Sequence, residues 1–192
     1  KNIILSIIFD LIINNLSHRY FSKLRIYYLK KLGLKLKNHF YCGIQIDVKG
    51  HKNIITGNNL TIMNNVKLYA HDGGKILIGN NCSINTSTFL DASQNGIIII
   101  GDDVMIAQNV VIRASNHNYN DLSISMNKQG HIAGKIIIEN DVWICANVVI
   151  TSDITIKSHS IIAAGSVVTK TVEEYNCVGG VPAKPIFNRK QI

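Results

Sequence analysis

His117 is the side chain best suited to acid–base chemistry, and it lies in the run Ser115-Asn116-His117-Asn118-Tyr119. A neutral imidazole can accept a proton near pH 7, so a histidine held in a fixed position is a candidate general base. The other histidines are dispersed along the chain, and we expect His71, His131 and His159 to be structural or solvated. A zinc hydratase needs three histidines, two of them closely spaced, and this pattern is absent from the sequence. We therefore expect no metal requirement.

The four cysteines are also far apart and contain no CxxC pair. This spacing argues against a disulfide framework and against a zinc ribbon. The simplest interpretation is that the four cysteines are small buried residues of the core. The four are Cys42, Cys82, Cys145 and Cys177.

The composition fits a folded protein with an anionic partner. The chain has 192 residues, of which 46% are apolar, and a net charge of +8. That charge is compatible with a nucleotide-like cofactor, a membrane surface or nucleic acid. Nucleic-acid binding would need a basic patch with interleaved aromatics, and only residues 19–37 approach one, so we expect no nucleic-acid partner. The early apolar run Ile3–Ile13 contains Asp10 and is too short to span a bilayer.

A repeat of six residues supplies the elements that must position His117. Aliphatic residues recur every six positions, and the twelve such positions from Ile78 onward are all Ile, Leu or Val. They are Ile78, Ile84, Leu90, Ile100, Ile106, Ile112, Ile138, Ile144, Ile150, Ile156, Ile162 and Val168. With 60 Ile, Leu and Val in 192 residues, chance would produce this only about once in a million sequences.

Three hexads make one coil of a triangular solenoid. Each hexad supplies one short strand whose aliphatic residue points inward, followed by a corner. The corners carry pairs such as Asn80-Asn81 and Asp102-Asp103, whose side chains tolerate a left-handed backbone. Four extra residues recur before Ile78 and Ile100, at 74–77 and 96–99. We expect the flat faces to carry surplus aliphatics for subunit contacts, including Ile97–Ile99 and Ile136–Ile138.

Residues 1–33 lack this repeat. Their spacing predicts a basic amphipathic helix that ends at Gly33 and covers the open first coil. Docking on a membrane surface or on a partner is the alternative role. The apolar members are Leu24, Tyr27, Tyr28 and Leu32, and the basic members are Arg25, Lys30 and Lys31.

The repeat breaks once, immediately after His117. A hexad is due at residue 118, but residues 118–137 read as an extruded loop, and the repeat resumes at Ile138. Long loops on rigid scaffolds often carry function. We therefore expect His117 to be held by the rigid scaffold at the start of a loop that can move over it.

These features resemble the hexapeptide-repeat acyltransferases, over roughly residues 34–188. The branch they resemble most comprises the maltose, galactoside and surface-polysaccharide O-acetyltransferases. The segments that carry the resemblance are the hexads, the loop after His117, Asn140-Asp141-Val142-Trp143-Ile144, Ala164-Gly165-Ser166-Val167-Val168-Thr169-Lys170 and Gly179-Gly180-Val181-Pro182-Ala183-Lys184.

The resemblance implies an all-β solenoid, namely a left-handed parallel β-helix of hexapeptide repeats with an N-terminal helical cap and one extruded loop. This fold is an exception to the usual right-handed crossover. The implied division is a cap (1–33), a β-helix catalytic domain (34–175, with loop 118–137) and a C-terminal segment (176–192). It also implies a homotrimer with active sites between adjacent subunits.

Residue by residue, the resemblance implies that His117 is the catalytic base. The substrate-binding candidates are Asn85, Asp91 and Tyr119, and the cofactor-binding candidates are Ala146, Ala164, Thr169, Lys170, Lys184 and Trp143. Some relatives support the histidine with an acidic residue. Here either Asp121 or Asp91 could take that part, and the sequence does not choose between them.

The implied function is transfer of an acetyl group from acetyl-CoA to a hydroxyl of a sugar or polysaccharide precursor in the cytoplasm. His117 would remove the hydroxyl proton, and backbone N–H groups near Ala146 would hold the oxyanion. We expect no covalent acyl-enzyme. The open alternatives are another acceptor (an antibiotic hydroxyl, an amino sugar or serine) and a non-catalytic scaffold.

Overall fold

The computed structural model describes residues 7–38 and 40–191. Residues 1–6 of the predicted cap and residue 192 lie outside these ranges. Within these ranges the N-terminal part contains a π-helical turn (Phe9–Ile13) and the α-helix α1 (Arg19–Lys31). Short 3-10 turns follow at His51–Asn53, Met126–Lys128 and Arg189–Gln191.

Almost all remaining regular structure is short strands. In chain order the strands are β1 (Phe40–Cys42), β2 (Asp47–Lys49), β3 (Ile54–Thr56), β4 (Leu60–Ile62), β5 (Lys67–Tyr69), β6 (Lys75–Ile78), β7 (Ser83–Ile84), β8 (Phe89–Asp91), β9 (Ile97–Ile100), β10 (Met105–Ile106), β11 (Val111–Arg113), β12 (Ser115–His117), β13 (His131–Ala133), β14 (Lys135–Ile138), β15 (Trp143–Ile144), β16 (Val149–Ile150), β17 (Ile154–Ile156), β18 (Ile161–Ile162), β19 (Val167–Val168), β20 (Asn176–Gly179) and β21 (Lys184–Asn188).

The strands form the three faces of a left-handed parallel β-helix. The first sheet has the order β1-β4-β7-β10-β15-β18-β20-β21, the second β19-β16-β11-β8-β5-β2, and the third β17-β14-β9-β6-β3. Successive coils are in register, so Ile84, Ile106, Ile144 and Ile162 stack one above another inside the first sheet. These four side chains are almost completely buried. The predicted fold class is confirmed.

The corners use left-handed backbone, as predicted. Among the described residues, fifteen non-glycine residues have positive φ, and ten of them are Asn or Asp. Corner side chains also link neighbouring coils. The backbone N–H of Asn58 donates to Asn80 Oδ1 (2.9 Å), that of Asn80 to Asp102 Oδ1 (2.6 Å), and that of Asp102 to Asn140 Oδ1 (2.8 Å).

The third sheet explains the four extra residues and corrects one expectation. The extra residues lengthen β6 and β9, and their equivalents at 134–137 do the same for β14. In these four-residue strands the side chains alternate, so Ile98, Ile136 and Ile138 are buried inside the solenoid. Ile97, Ile99 and Ile137 face outward, and only these members of the two runs are available for contacts between subunits.

The interruption near His117 starts and ends earlier than predicted and is more regular. Strands β12 and β13 pair antiparallel as a hairpin, and residues 135–137 already belong to β14 on the third sheet. The chain returns early because Ile136 fills an interior position against Ile98. The extruded part therefore comprises residues 115–133.

The helix α1 covers the edge strand β1. Ser22 Oγ accepts a hydrogen bond from the backbone N–H of Cys42 (3.0 Å), and Leu29 joins the solenoid core. The helix is followed by Gly33 at φ 107°, a left-handed conformation that favours glycine. The expectation that Arg25 belongs to the exposed basic face is wrong, since Arg25 is buried.

At the other end, β21 runs antiparallel to β20. The C-terminal residues are fixed to the last coils by Arg189, which donates to the carbonyl of His159 (2.7 Å). His159 is stacked on Tyr175 and contacts Asp141 (2.8 Å). This contact and nearby Arg189 lower the pKa of Asp141. No helix within the described ranges is long and apolar enough to cross a bilayer.

Candidate active site

The hairpin holds His117 directly opposite His131. The two residues are cross-strand partners, and their ring centroids are 4.2 Å apart with planes tilted by 39°. Both side chains are exposed. The sequence did not predict this proximity, because nothing in it shows that residues 131–133 form the strand that returns beside His117. The site thus presents two adjacent imidazoles on a paired backbone.

A buried carboxylate anchors the strand that leads into the hairpin. Asp91 accepts hydrogen bonds from the backbone N–H of Ser93 (3.0 Å) and from Ser93 Oγ (2.5 Å), and Arg113 Nη1 lies 3.5 Å from Asp91 Oδ2. Arg113 Nε donates to the carbonyl of Ser115 (3.1 Å). Arg113, which sequence reasoning missed, therefore links Asp91 to the backbone two residues before His117.

The second acidic candidate, Asp121, is used inside the loop. Its carboxylate accepts from the backbone N–H (2.8 Å) and Oγ (2.6 Å) of Ser123, and these bonds lower the pKa of Asp121. Within the described ranges, neither Asp121 nor Asp91 is hydrogen-bonded to His117. Neither acidic residue supports His117 directly in this structure.

Gln129 fixes the shape of the loop. Its Nε2 donates to the carbonyls of Asp121 (2.7 Å) and Ile124 (3.0 Å), and its Oε1 accepts from the backbone N–H of Asp121 (3.0 Å). The loop's apolar side chains consequently point outward, and Leu122 is 96% exposed. Tyr119 is also exposed beside the hairpin. The loop that follows His117 therefore carries exposed apolar side chains.

Asn85 does not meet His117 within one chain. It follows β7 and precedes β8, so it lies at the entry edge of the second sheet, whereas His117 lies beyond the exit edge of that sheet. Its Oδ1 accepts from the backbone N–H of Thr86 (2.8 Å), and its side chain is exposed. The two residues therefore lie at opposite edges of the second sheet.

The small-residue candidates occupy one corner on adjacent coils. The backbone N–H of Gly165, next to Ala164, donates to the carbonyl of Ala146 (2.9 Å). A Cβ added to Gly165 would have no neighbour within 4 Å, so this corner is open. Trp143 stands on the outer side of the first sheet, in register with Met105 and Ile161.

Thr169, Lys170 and Lys184 come together at the last coil, as neighbours in one cavity. The cavity has a volume of about 290 Å³ and is also lined by Asn176 and Pro182. Within the described part of the chain, neither Lys170 nor Lys184 forms an ion pair. Two available ammonium groups beside a cavity suit a phosphate-bearing ligand. Ala146 and Ala164 are not among its lining residues.

The cysteines are poor nucleophiles here. All four are unpaired by disulfides, and Cys42, Cys82 and Cys177 are buried. Burial raises the pKa of Cys42 to about 12 and raises the pKa of the Cys145 thiol beside Ala146. A thiolate is the reactive form, so a raised pKa disfavours attack. No group of three or more His, Cys, Asp or Glu side chains among the described residues is placed to hold a metal ion.

Comparison with known proteins agrees with the repeat and the fold. The bacterial transferase hexapeptide (six repeats) family matches residues 135–170. A chloramphenicol acetyltransferase of Agrobacterium fabrum is 46% identical over 57 residues, 30% of this chain and 27% of the relative. Galactoside O-acetyltransferase of Escherichia coli is 36% identical over 81 residues, 42% of this chain and 38% of the relative. The chain thus matches less than half of these relatives' length.

Two crystal structures are similar over most of the chain. A hexapeptide-repeat acetyltransferase from Vibrio cholerae, complexed with acetyl coenzyme A, is 26% identical with a TM-score of 0.61, covering 93% of this chain and 82% of that chain. A variant of AntD, an N-acyltransferase from Bacillus cereus, is 23% identical with a TM-score of 0.73, and the match covers 85% of this chain and 89% of that chain. It was solved with dTDP-4-amino-4,6-dideoxyglucose and coenzyme A.

Residues 135–170 thus carry the bacterial transferase hexapeptide repeat, and the chain shares its left-handed β-helix with these acyltransferase structures.

Proposed function

We propose that the protein transfers an acetyl group from acetyl-CoA to a hydroxyl of a sugar or polysaccharide precursor, with His117 as general base. The observation that carries this proposal is the position of His117 on a paired hairpin at the one long break in the described part of the β-helix. A non-catalytic scaffold would have no need for an exposed imidazole held in this way.

In this reaction the acetyl group passes directly from the sulfur of acetyl-CoA to the oxygen of the acceptor. His117 takes the proton of the acceptor hydroxyl while the oxygen attacks the thioester carbon. The new C–O bond forms, the C–S bond of acetyl-CoA breaks, and the proton passes from the imidazolium to the departing CoA sulfur. The thiols of this chain take no part, because burial raises their pKa.

The direct test is a CoA-release assay with purified protein and acetyl-CoA against a panel of acceptors. The panel includes sugars, nucleotide-linked amino sugars, serine and chloramphenicol- or streptogramin-type antibiotics. We expect release above the no-acceptor rate with at least one sugar hydroxyl. If none of the acceptors gives CoA release and calorimetry detects no acetyl-CoA binding, the scaffold alternative is favoured.

An amino group on a nucleotide-linked sugar is the second candidate acceptor. It is supported by the fold likeness to the N-acyltransferase AntD, solved with such a sugar. Mass spectrometry of the product before and after treatment with mild base distinguishes O-acetylation from N-acetylation, because mild base cleaves an ester and leaves an amide intact. Activity restricted to the amino sugar would replace the hydroxyl proposal.

We further propose that the cavity at Lys170 and Lys184 binds the phosphates of the coenzyme. Lys170→Ala removes one ammonium group from the cavity while leaving the apolar coil intact. We expect the affinity for CoA to fall about tenfold, as for one lost charge-assisted contact, and the affinity for pantetheine to stay within about twofold. Isothermal titration calorimetry with both ligands measures this. Lys67→Ala, far from the cavity on the second sheet, is the control, and equal losses for both ligands would contradict the phosphate role.

We also propose a homotrimer whose sites are shared between neighbouring subunits. The separation of Asn85 from His117 within one chain supports this arrangement, as does the outward apolar ladder Ile55, Leu77, Ile99 and Ile137 on the third sheet. We expect light scattering to give three times the chain mass. We also expect His117→Ala and Asn85→Ala, each inactive alone, to regain about a quarter of the sites when mixed one to one and refolded together. No regain in mixed trimers would place both residues in one chain's site or remove Asn85 from it.

A further inference from the structure

The positive charge of the protein is concentrated at its N-terminal end. Residues 1–38 contain eight Lys and Arg and one Asp, a net charge of +7 out of the chain's +8. Residues 39–192, which include all the strands β1–β21, carry a net charge of only +1. The excess charge is therefore a local property of the segment that precedes β1.

The exposed side of α1 combines these cations with tyrosines. At about 100° per residue, six of its residues fall within an arc of roughly 120°. All six are exposed: Arg19, Tyr20, Lys23, Tyr27, Lys30 and Lys31. We call them the α1 outer face. Tyr20 and Tyr27 are 62% and 66% exposed, and the buried residues of the helix lie on its opposite side. No acidic residue occurs between positions 11 and 46.

An exposed apolar segment lies beside this helix. Ile7, Ile8, Leu11, Ile12 and Leu16 are all exposed, with Leu11 at 71%. We call these five residues the N-terminal ridge. It is fixed in place, because Phe9 stacks on Tyr28 with ring centroids 4.0 Å apart and Arg25 donates to the carbonyls of Ile13 and Leu16. The ridge is thus an apolar surface held against α1 through Tyr28 and Arg25, two of the buried residues of that helix.

We propose that the N-terminal ridge and the α1 outer face together bind the surface of a lipid bilayer that contains anionic phospholipids. Aliphatic side chains can enter the boundary between headgroups and acyl chains, and tyrosine rings favour the headgroup level. Lysines and arginines beside them attract anionic headgroups. The α1 outer face supplies the cations, and the ridge supplies the apolar area that electrostatic attraction alone would lack. This inference goes beyond the proposed transferase and does not depend on it.

Vesicle co-sedimentation of the 192-residue chain tests the proposal. Vesicles of phosphatidylcholine with roughly 30% phosphatidylglycerol are compared with vesicles of phosphatidylcholine alone. We expect clear binding to the anionic vesicles and much weaker binding to the neutral ones. Lys23→Glu/Lys30→Glu should lower the partition coefficient about 30-fold or more, since each cation near an anionic surface contributes about a factor of five. Leu11→Asn/Ile12→Asn should lower it at high salt as well as at low salt.

The matched control is Lys67→Glu/Lys75→Glu, which changes the net charge by the same amount on exposed lysines of the solenoid. It should retain binding within about threefold. Thermal melting and light scattering of every variant check that the fold and the assembly are unchanged.

Three results would overturn the proposal. An equal loss of vesicle binding in the control would mean that the overall charge of the protein, and not the α1 outer face, controls binding. An altered oligomeric state in Leu11→Asn/Ile12→Asn would make the ridge a contact between copies. Binding of an RNA or DNA oligonucleotide through the α1 outer face, with no binding to vesicles, would assign the surface to nucleic acid.

Discussion

His117→Ala lowers kcat by a factor on the order of 10² to 10⁴ with a true acceptor, the usual contribution of a positioned general base. Coenzyme affinity and assembly stay nearly unchanged, because the side chain is exposed and belongs to the hairpin rather than to the solenoid core. Steady-state kinetics gives kcat, and calorimetry gives the affinity for CoA.

His131→Ala is the matched control, since it removes an equivalent imidazole from the facing strand. We expect its loss of kcat to be smaller than about tenfold, because the backbone pairing that holds His117 is retained. If His131→Ala is the more damaging change, His131 is the base and the assignment of His117 is wrong. If both variants keep near-normal turnover, the chemistry lies elsewhere.

Arg25→Ala lowers the free energy of unfolding by on the order of 3 kcal/mol. The guanidinium is 1% exposed. It donates to the carbonyl of Cys42 from Nε (3.2 Å) and Nη2 (2.9 Å), and from Nη1 to the carbonyls of Ile13 (2.8 Å) and Leu16 (2.9 Å). Removing it leaves three carbonyls without this donor and weakens the attachment of the N-terminal turn to the first coil, where the hydrogen bonds of Asn14 to Gln45 and Ile46 remain.

Urea denaturation measures the effect, with Arg19→Ala as the control. Arg19 is exposed on the same helix, so its loss should change stability by less than about 0.5 kcal/mol. Arg25→Met preserves much of the side-chain volume without the donors, and we expect it to be nearly as destabilising as Arg25→Ala. Full stability of Arg25→Met would mean that packing, rather than hydrogen bonding, holds the N-terminal segment.

The solenoid was predictable from sequence because each coil repeats the same local requirement. An aliphatic residue every six positions fills the interior, and Asn or Asp at a corner accepts the left-handed backbone, so Ile84, Ile106 and Asn81 each show their role in their own hexad. The four extra residues at 74–77 were visible as a spacing. Their effect, a longer strand on the third sheet, needed the register between coils.

The parts that could not be predicted depend on contacts between distant segments. The burial of Arg25 follows from carbonyls at positions 13, 16 and 42, and a helical pattern alone assigned this residue to the exposed side. Likewise, His131 faces His117 only because the loop closes as a hairpin. The role of Arg113 depends on Asp91 one coil away.

Because the coils stack at a regular spacing, the number of coils between two residues gives their separation along the axis of the β-helix. Neighbouring strands in each sheet are separated by about 4.8 Å. The first sheet passes from β1 through β4 and β7 to β10, the strand of the coil from which His117 emerges. His117 therefore stands three steps, or about 14 Å, above the coil that α1 covers. With the N-terminal ridge on a bilayer and the solenoid axis along the membrane normal, that height would define the layer above the lipid headgroups in which an acceptor meets the imidazole. Inserting or deleting one coil between β4 and β10 would move this layer by one step and leave both ends of the molecule as they are.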